Sequence, residues 1–408
     1  MSAEVAIMNK QGVAIAADSA VSIFIGKGNL NNKTYYTQQK IFDLSPKHSV
    51  GIMIYSESEF MGISWEIIIS EFGKAVGDRI FDTLEEYAKY LITFLKDFTY
   101  IGDKQQKEYL EKMSWFFYNE LKDIYDSKIS AEQKEQVVAK GKQIEIISEV
   151  IKEINDRLEK EDYSTGFVDD GFVKTNRNII ESQLDEVFSG FNFDSSVKEE
   201  MIELFYIDLV KIEISLWLKF NSGIVFAGYG GKEIFPTVVD FRLFGRLGKS
   251  IIQTKMNIYD VVNESNSWIS PYAQTDVINT FIRGIDPIFK EKITERIDSF
   301  IENIKNLTGE KNINKINELK EELINDINEH EFKNYTEAVT NMVSSFPKSN
   351  LAEMAEALVN LTALRRHVSN EEEDVGGPTD VALITKVDGF VWIKKKQLFQ
   401  NVYNNLGS

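Results

Sequence analysis

The chain has 408 residues, enough for two or three domains or for one domain with a large insertion. Its net charge is −18, opposite in sign to that of most nucleic-acid binders, so we expect no nucleic-acid partner. It has no cysteine and only three scattered histidines, which excludes disulfides and cysteine nucleophiles and predicts no metal or other cofactor. The sequence has no signal-peptide pattern and no apolar run of about 18 residues, so we expect a cytoplasmic protein without membrane contact.

The N-terminal segment has the pattern of a β-hairpin. Glu4–Met8 and Val13–Ala17 are short apolar runs, and the residues between them, NKQG, favour a turn. A third apolar run, Val50–Tyr55, is typical of a buried strand. Strands are therefore expected near the start of the chain.

The middle of the chain has the pattern of amphipathic helices. Residues 47–235 contain no proline, the strongest helix breaker, and are rich in Glu, Lys, Ile and Leu. Apolar residues recur there at spacings of three and four in the segments Leu84–Phe98, Gln105–Ile124, Ala131–Leu158 and Val197–Phe220. We therefore predict a helical block between two regions that contain strands.

The C-terminal half combines strand and helix patterns. Strand-like runs occur at Gly223–Ala227, Thr237–Phe244 and Ser250–Thr254, and a second hairpin is predicted from Asp380–Thr385 and Gly389–Ile393. Helical patterns occur at Gln274–Ile285, Pro287–Leu307, Lys311–Asn328 and Leu351–Arg366. With Asn350 as the N-cap of the last helix, Glu353 falls at the N3 position of a capping box.

The simplest architecture is one layered domain built from both ends of the chain. Its class is α+β, with two antiparallel sheets, helices outside them and an all-helical insertion. We assign residues 1–99 and 216–408 to the layered domain and residues 100–215 to the insertion.

Ser2 is a candidate nucleophile because it directly follows Met1, and common catalytic motifs are missing elsewhere. The sequence has no GxSxG, GxxxxGK[ST] or HExxH pattern. Removal of Met1, which is usual before a small residue, would give Ser2 a free α-amine with a pKa of roughly 7.7–8.0. Such an amine serves as the base for a hydroxyl on the same residue. Met-Ser begins many proteins, so Ser2 gains weight only from the residues that follow it.

A series of short patterns follows Ser2 in order. Asp18 ends an Ala-Ala-Asp sequence and lies 16 positions after Ser2. Lys40-Ile41-Phe42, the apolar run Val50–Ser56 and the segment VGGPTDVALI at 375–384 come later. In their order and in the first spacing, these patterns resemble N-terminal-nucleophile hydrolases of the proteasome β-subunit type. The resemblance covers about residues 2–75, 222–305 and 350–395.

This resemblance implies a four-layer αββα sandwich and a set of catalytic roles. Ser2 would be the nucleophile, and Lys40 the positive charge that lowers the proton affinity of its neighbours. Asp18 would pair with Lys40, and the Ser56 N–H would stabilise the oxyanion. The resemblance further implies the supporting residues Ser270, Glu372, Gly376 and Gly377 and the pocket residues Gln38, Phe42 and Ile54. Taken without the resemblance, Asp18 and Lys40 predict only an ordinary ion pair beneath a sheet.

Three functions remain open at this point. The first is a protease, a hydrolase that cleaves peptide bonds with Ser2. The second is an inactive proteasome-like scaffold that binds a partner or assembles through its helical insertion. It is favoured by Val375, because the family has a serine there, and by the size of the helical insertion. The third is a small-molecule amide hydrolase on the same fold, since fold alone does not decide function.

The resemblance also implies partners. Members of the family form rings, so a homo-oligomer is expected. They act on peptide or protein substrates and work with separate ATPase unfoldases. This sequence has no ATPase motif of its own, so such a partner would be another chain.

Overall fold

A computed structural model describes residues 2–24, 32–129, 140–160, 170–191, 193–211, 221–261, 266–308, 313–369 and 375–396. Within these residues the chain combines helices with antiparallel sheets, which confirms the predicted α+β class. No described helix is long and apolar enough to cross a bilayer.

The strands of the described residues are numbered in chain order. They are β1 Ala3–Asn9, β2 Gly12–Ala17, β3 Val21–Phe24, β4 Asn32–Tyr35, β5 Ile41–Asp43, β6 Val50–Ser56, β7 Glu59–Phe60, β8 Ile63–Ser64, β9 Ser222–Gly228, β10 Thr237–Leu247, β11 Ser250–Gln253, β12 Asn257–Asp260, β13 Ser267–Ala273, β14 Asp380–Thr385 and β15 Gly389–Lys394. Both predicted hairpins are confirmed, because β1 pairs with β2 and β14 pairs with β15, each antiparallel.

The helices are numbered in the same way. They are α1 Trp65–Val76, α2 Leu84–Asp97, α3 Asp103–Lys128, α4 Lys140–Leu158, α5 Asp170–Thr175, α6 Arg177–Val187, α7 Ser195–Val210, α8 Asp276–Arg283, α9 Pro287–Thr308, α10 Ile313–Glu331, α11 Glu337–Ser344 and α12 Lys348–His367, with a π-helical turn, Phe332–Thr336, between α10 and α11. The predicted helical stretches 131–139 and 212–220 lie outside the described residues.

Two sheets contain most of these strands. The first sheet has the order β13-β1-β2-β14-β15, so strands from both ends of the chain lie side by side. The second sheet has the order β11-β10-β9-β6-β5, with β12 pairing with β10. The second sheet likewise combines β5 and β6 with strands that follow residue 221.

Side-chain alternation along β1 places the first sheet between two apolar layers. Val5 and Ile7 pack with residues of α8, α11 and α12 on one face. Ala6 and Met8 pack on the other face with residues of the second sheet, such as Val225. The first sheet therefore has helices on one side and the second sheet on the other.

The second sheet is covered by helices on its far side. Ile52, Phe226 and Val239 share an apolar cluster with Phe72 of α1 and Leu91 of α2. The observed layer order is therefore helix, sheet, sheet, helix.

Helices α3 to α7 form an apolar cluster of their own. Phe117 of α3 and Phe205 of α7 are in contact, with ring centroids 5.5 Å apart. The cluster also includes Phe244, Leu247 and Ile252 of the second sheet, so the helical block rests on β10 and β11. The domain division at residues 99/100 and 215/216 stays a prediction.

The start of α12 differs from the prediction. The helix begins at Lys348, with Pro347 at the N-cap position, so Asn350 is not the cap. The proline ring fixes φ near the value found here, −61°, and the carbonyl of Pro347 accepts hydrogen bonds from the N–H groups of Asn350 and Leu351. Helix α12 therefore begins earlier in the chain than the capping-box pattern predicts, with Pro347 as its N-cap.

Candidate active site

Ser2 directly precedes β1 and is buried, with 4% exposure. Its carbonyl accepts a hydrogen bond of 3.0 Å from the N–H of Gln274, which follows β13. The next residue, Ala3, exchanges two hydrogen bonds with Asp18: its N–H donates to Asp18 Oδ1 at 3.2 Å, and its carbonyl accepts from the Asp18 N–H at 3.1 Å. Ser2 is therefore held from both neighbouring strands.

Asp18 is the centre of the hydrogen bonding around Ser2. Its carboxylate is 1% exposed and accepts hydrogen bonds from the Ala3 N–H, the Gly376 N–H at 2.8 Å, and the ammonium group of Lys40. Three donors compensate the cost of burying this carboxylate. The structure therefore brings Asp18, Lys40 and Gly376 together beside Ser2.

Lys40 enters the site from the start of β5. Its carbonyl accepts a 2.8 Å hydrogen bond from the Ile54 N–H of β6, which fixes the backbone there. Its ammonium group forms ion pairs with Asp18 and with Glu4 Oε1, the latter at 3.1 Å. Burial disfavours the charged form, but the two carboxylates outweigh it and raise the pKa of Lys40.

Glu4 is a site residue that the sequence analysis missed. Its side chain is completely buried, and it lies two residues after Ser2 on β1. Burial raises its pKa from 4.5 to about 7, although the charge of Lys40 acts in the opposite direction. The sequence does offer a signal for it. In the strand AEVAIMN, Glu4 is the charged residue, and every other residue before the final asparagine is apolar.

The segment at 375–380 closes the site on the side of Asp18. The Ser19 N–H donates to the Gly376 carbonyl at 3.2 Å, and Ser19 Oγ donates to the Pro378 carbonyl at 2.5 Å. Gly377 has φ of 80°, and a Cβ there would lie 2.8 Å from Cβ of Tyr36, so both conformation and space favour glycine. Glu372, a predicted supporting residue, lies outside the described residues.

Ser56 ends β6 in a conformation that is unusual for its residue type. Its φ is 68°, in the left-handed region that favours glycine, and such strain costs about 1–3 kcal/mol. The preceding Tyr55 contacts Tyr272, with ring centroids 5.2 Å apart. Because the Cα of Tyr272 lies opposite that of Glu4, the end of β6 lies at the same end of the space between the sheets as Glu4.

Ser270 is not brought to Ser2. Its Cα lies opposite that of Ala6 in the β1–β13 pairing. Ala6 is four residue steps along the strand from Ser2, a distance of about 13 Å. The contact from this part of the chain is made instead by Gln274, whose side chain accepts a hydrogen bond from Arg366 of α12.

The three predicted pocket residues have different environments. Gln38 is half-buried, and its N–H donates to the Ser19 carbonyl at 3.2 Å, which keeps it near Asp18. Phe42 and Ile54 are 6% and 4% exposed and belong to the apolar cluster beneath α1 and α2. In this conformation their side chains complete the core of that layer.

A second buried ion pair holds the Gln38 segment in place. Lys396 Nζ donates to the Gln38 carbonyl at 2.6 Å and to Asp380 Oδ2 at 2.7 Å. The Lys396 and Asp380 side chains are 5% and 2% exposed. The residues after β15 therefore fix the loop that approaches Ser19 and Asp18.

Replacing Lys396 by methionine is expected to lower the free energy of unfolding by about 3–5 kcal/mol, because Asp380 would remain buried without its cation. Urea denaturation measures this change. Lys394→Met is the matched control, since the Lys394 side chain is 50% exposed in its ion pair with Glu356. The control should change the free energy by less than about 1 kcal/mol, and equal effects of the two variants would contradict the prediction.

Among the residues that the structure describes, no group of three or more His, Asp and Glu side chains is arranged to hold a metal ion.

Comparison with known proteins finds little similarity. No protein-family model and no curated protein matches the chain. One similar solved structure is Anbu from Hyphomicrobium sp. strain MC1. It is 7% identical, with a TM-score of 0.31, over 97% of this chain and 86% of that one. A sequence identity and a TM-score this low do not show a shared fold or function.

Proposed function

We propose that the chain is a proteasome-like hydrolase of the N-terminal-nucleophile type, in which Ser2 cleaves peptide bonds after removal of Met1. The observation that carries this proposal is the Asp18 carboxylate, which binds the N–H next to Ser2, the Lys40 ammonium and the Gly376 N–H. Three segments far apart in the chain thereby meet at the candidate nucleophile. The layer order of helix, sheet, sheet and helix supports the same proposal.

The proposed reaction is acyl transfer to Ser2. Ser2 Oγ attacks the carbonyl carbon of the substrate, the Oγ proton is transferred to the amide nitrogen, and the carbon–nitrogen bond breaks as the amine leaves. Lys40, held by Asp18, stabilises negative charge that develops near Ser2. Water then hydrolyses the acyl-enzyme with the free α-amine of Ser2 as base.

Ser56 is the proposed oxyanion donor. Its φ of 68° ends the extended backbone of β6 directly after this N–H. Backbone strain of this kind clusters at active sites, where it forms part of the working geometry. A donor of this type contributes about 2.7–4 kcal/mol to the transition state.

A second candidate function is an inactive proteasome-like scaffold. Val375 stands at a position where the family has a serine, and it is buried in the apolar cluster beside α12. Phe42 and Ile54 likewise lie inside a core cluster. On this proposal the helices α3 to α7 are the working part and bind a partner or a second copy. Self-association and a separate ATPase unfoldase stay predictions for either function.

The test is the intact mass of untagged protein before and after treatment with a peptidyl fluorophosphonate. Loss of one methionine and one adduct on Ser2, absent from Ser2→Ala, are expected for the hydrolase. Ser2→Thr should still be labelled, because threonine keeps the hydroxyl and is also small enough for removal of Met1. Ser299→Ala, on the exposed side of α9, is the control and should label like wild type.

Retention of Met1 without an adduct would support the scaffold and overturn the hydrolase. If Ser2 is labelled, turnover of peptides against simple aryl amides separates a protease from a small-molecule amide hydrolase. A protease should cleave extended peptides faster, because residues beyond the scissile bond add binding energy in the transition state.

A further inference from the structure

Glu4 occupies a position that the proposed mechanism does not use. It lies on β1, an interior strand of the first sheet, and its Cα is opposite those of Tyr272 on β13 and Ala17 on β2. Alternation along the strand directs Glu4 to the same side as Ala6, which faces the second sheet. An acidic side chain is therefore buried between the sheets, two residues from the candidate nucleophile.

The two carboxylates in this site are not equivalent. Asp18 accepts hydrogen bonds from two backbone N–H groups and from Lys40. Glu4 lies 3.1 Å from the Lys40 ammonium and is influenced by the Ser2 side chain, but within the described part of the chain no backbone N–H group donates to its carboxylate. Burial raises the pKa of Glu4 above that of an ordinary glutamate, so its carboxylate takes up a proton more readily.

The surroundings of Glu4 favour proton exchange with Ser2. The Ser2 side chain lies close enough to Glu4 to influence its ionisation. The titratable and charged groups that face Glu4 from the neighbouring elements are Lys40, Asp18, Tyr55 and Tyr272. Burial raises the pKa of both tyrosines, so Lys40 is the cation among these groups at neutral pH.

We propose that Glu4 is the proton acceptor for the Ser2 hydroxyl when Ser2 attacks an amide carbonyl, a role that rests on the proposed function. The Oγ–carbon bond forms as the Oγ proton passes to the Glu4 carboxylate. Glu4 then returns this proton to the leaving nitrogen as the carbon–nitrogen bond breaks. Lys40 stays protonated throughout, held by Asp18.

A proton acceptor at Glu4 makes a prediction that differs from a mechanism in which the α-amine of Ser2 accepts the hydroxyl proton. The proton leaves Ser2 through a side chain of β1, so attack by Ser2 does not require a free amine on Ser2. Protein that keeps Met1 should therefore still be acylated, whereas the subsequent hydrolysis, which uses the amine, should be confined to protein without Met1.

The experiment measures the rate of Ser2 labelling by the fluorophosphonate from about pH 5 to pH 9, followed by intact mass. In wild type the rate should rise with pH around a midpoint near the Glu4 pKa of about 7. Glu4→Gln keeps the size of the side chain but not the proton acceptor, so labelling should slow by about 100-fold or more and lose that midpoint. Glu4→Asp should keep a midpoint at a reduced rate.

Several outcomes would overturn the role of Glu4. Labelling of Glu4→Gln at the wild-type rate and with the wild-type pH profile, with Ser2→Ala unlabelled, would remove Glu4 and leave the proposed function standing. An unlabelled wild type would overturn both. If Glu4→Gln fails to fold, the wild-type profile decides, since the absence of a midpoint over this pH range excludes Glu4 as the acceptor. Glu108→Gln, on the exposed side of α3, is the control for substitution and should match wild type.

Discussion

Replacing Asp18 by asparagine is expected to lower the free energy of unfolding by about 3–5 kcal/mol. The substitution keeps the size of the side chain and one oxygen, but it removes the negative charge closest to Lys40. Lys40 would then remain buried with only Glu4 as its ion-pair partner. Burial favours the protonated, uncharged form of Glu4, so this partner compensates the Lys40 charge poorly. Urea denaturation at neutral pH measures the loss, and labelling of Ser2 should fall in parallel because Lys40 is no longer held.

Asp78→Asn is the matched control for this prediction. Asp78 forms an ion pair with Lys47, but the two side chains are 79% and 65% exposed. Solvent screens such a pair, so the control should cost less than about 1 kcal/mol. A double-mutant cycle in each pair isolates the interaction, with Lys40→Met and Lys47→Met as the second substitutions. Similar coupling energies in the two cycles would contradict a special role for the buried pair.

The parts of the fold that the sequence predicted are those with local signals. The hairpin of β1 and β2 combines two apolar runs with a turn, and each of those features lies within a few residues. Strand β13 was missed because its burial is only partial and because Pro271 lies within it. Proline is tolerated there since β13 is the edge strand of the first sheet, which is a property of the assembled sheet.

For the site as well, the sequence identified individual residues but not their contacts across the fold. The resemblance singled out Asp18, Lys40 and Gly376, and the structure brings these residues together. Spacing alone could not have paired them, because their meeting depends on which strands lie side by side. Glu4 was missed for a related reason: its burial is produced by β13 and β2 on its two sides and by the second sheet above it.

Glu4→Gln is expected to change how stability depends on pH. The pKa of Glu4 is about 7 in the folded protein, against 4.5 for an ordinary glutamate. Unfolding between these pH values therefore releases a proton, so the contribution of Glu4 is fully present below pH 4.5 and is lost as the pH rises through about 7. At about 1.4 kcal/mol for each pKa unit, the loss for wild type amounts to roughly 3 kcal/mol.

The measurement is the difference in unfolding free energy between wild type and Glu4→Gln at several pH values. Groups that do not face Glu4 titrate equally in both proteins, so their contributions cancel in this difference. The variant should gain stability relative to wild type as the pH rises, and the gain should level off above the folded-state pKa. Glu108→Gln removes an exposed carboxylate and should run parallel to wild type. Parallel curves for Glu4→Gln as well would mean that Glu4 keeps an ordinary pKa, and a relative loss of stability would mean that its ion pair with Lys40 outweighs burial.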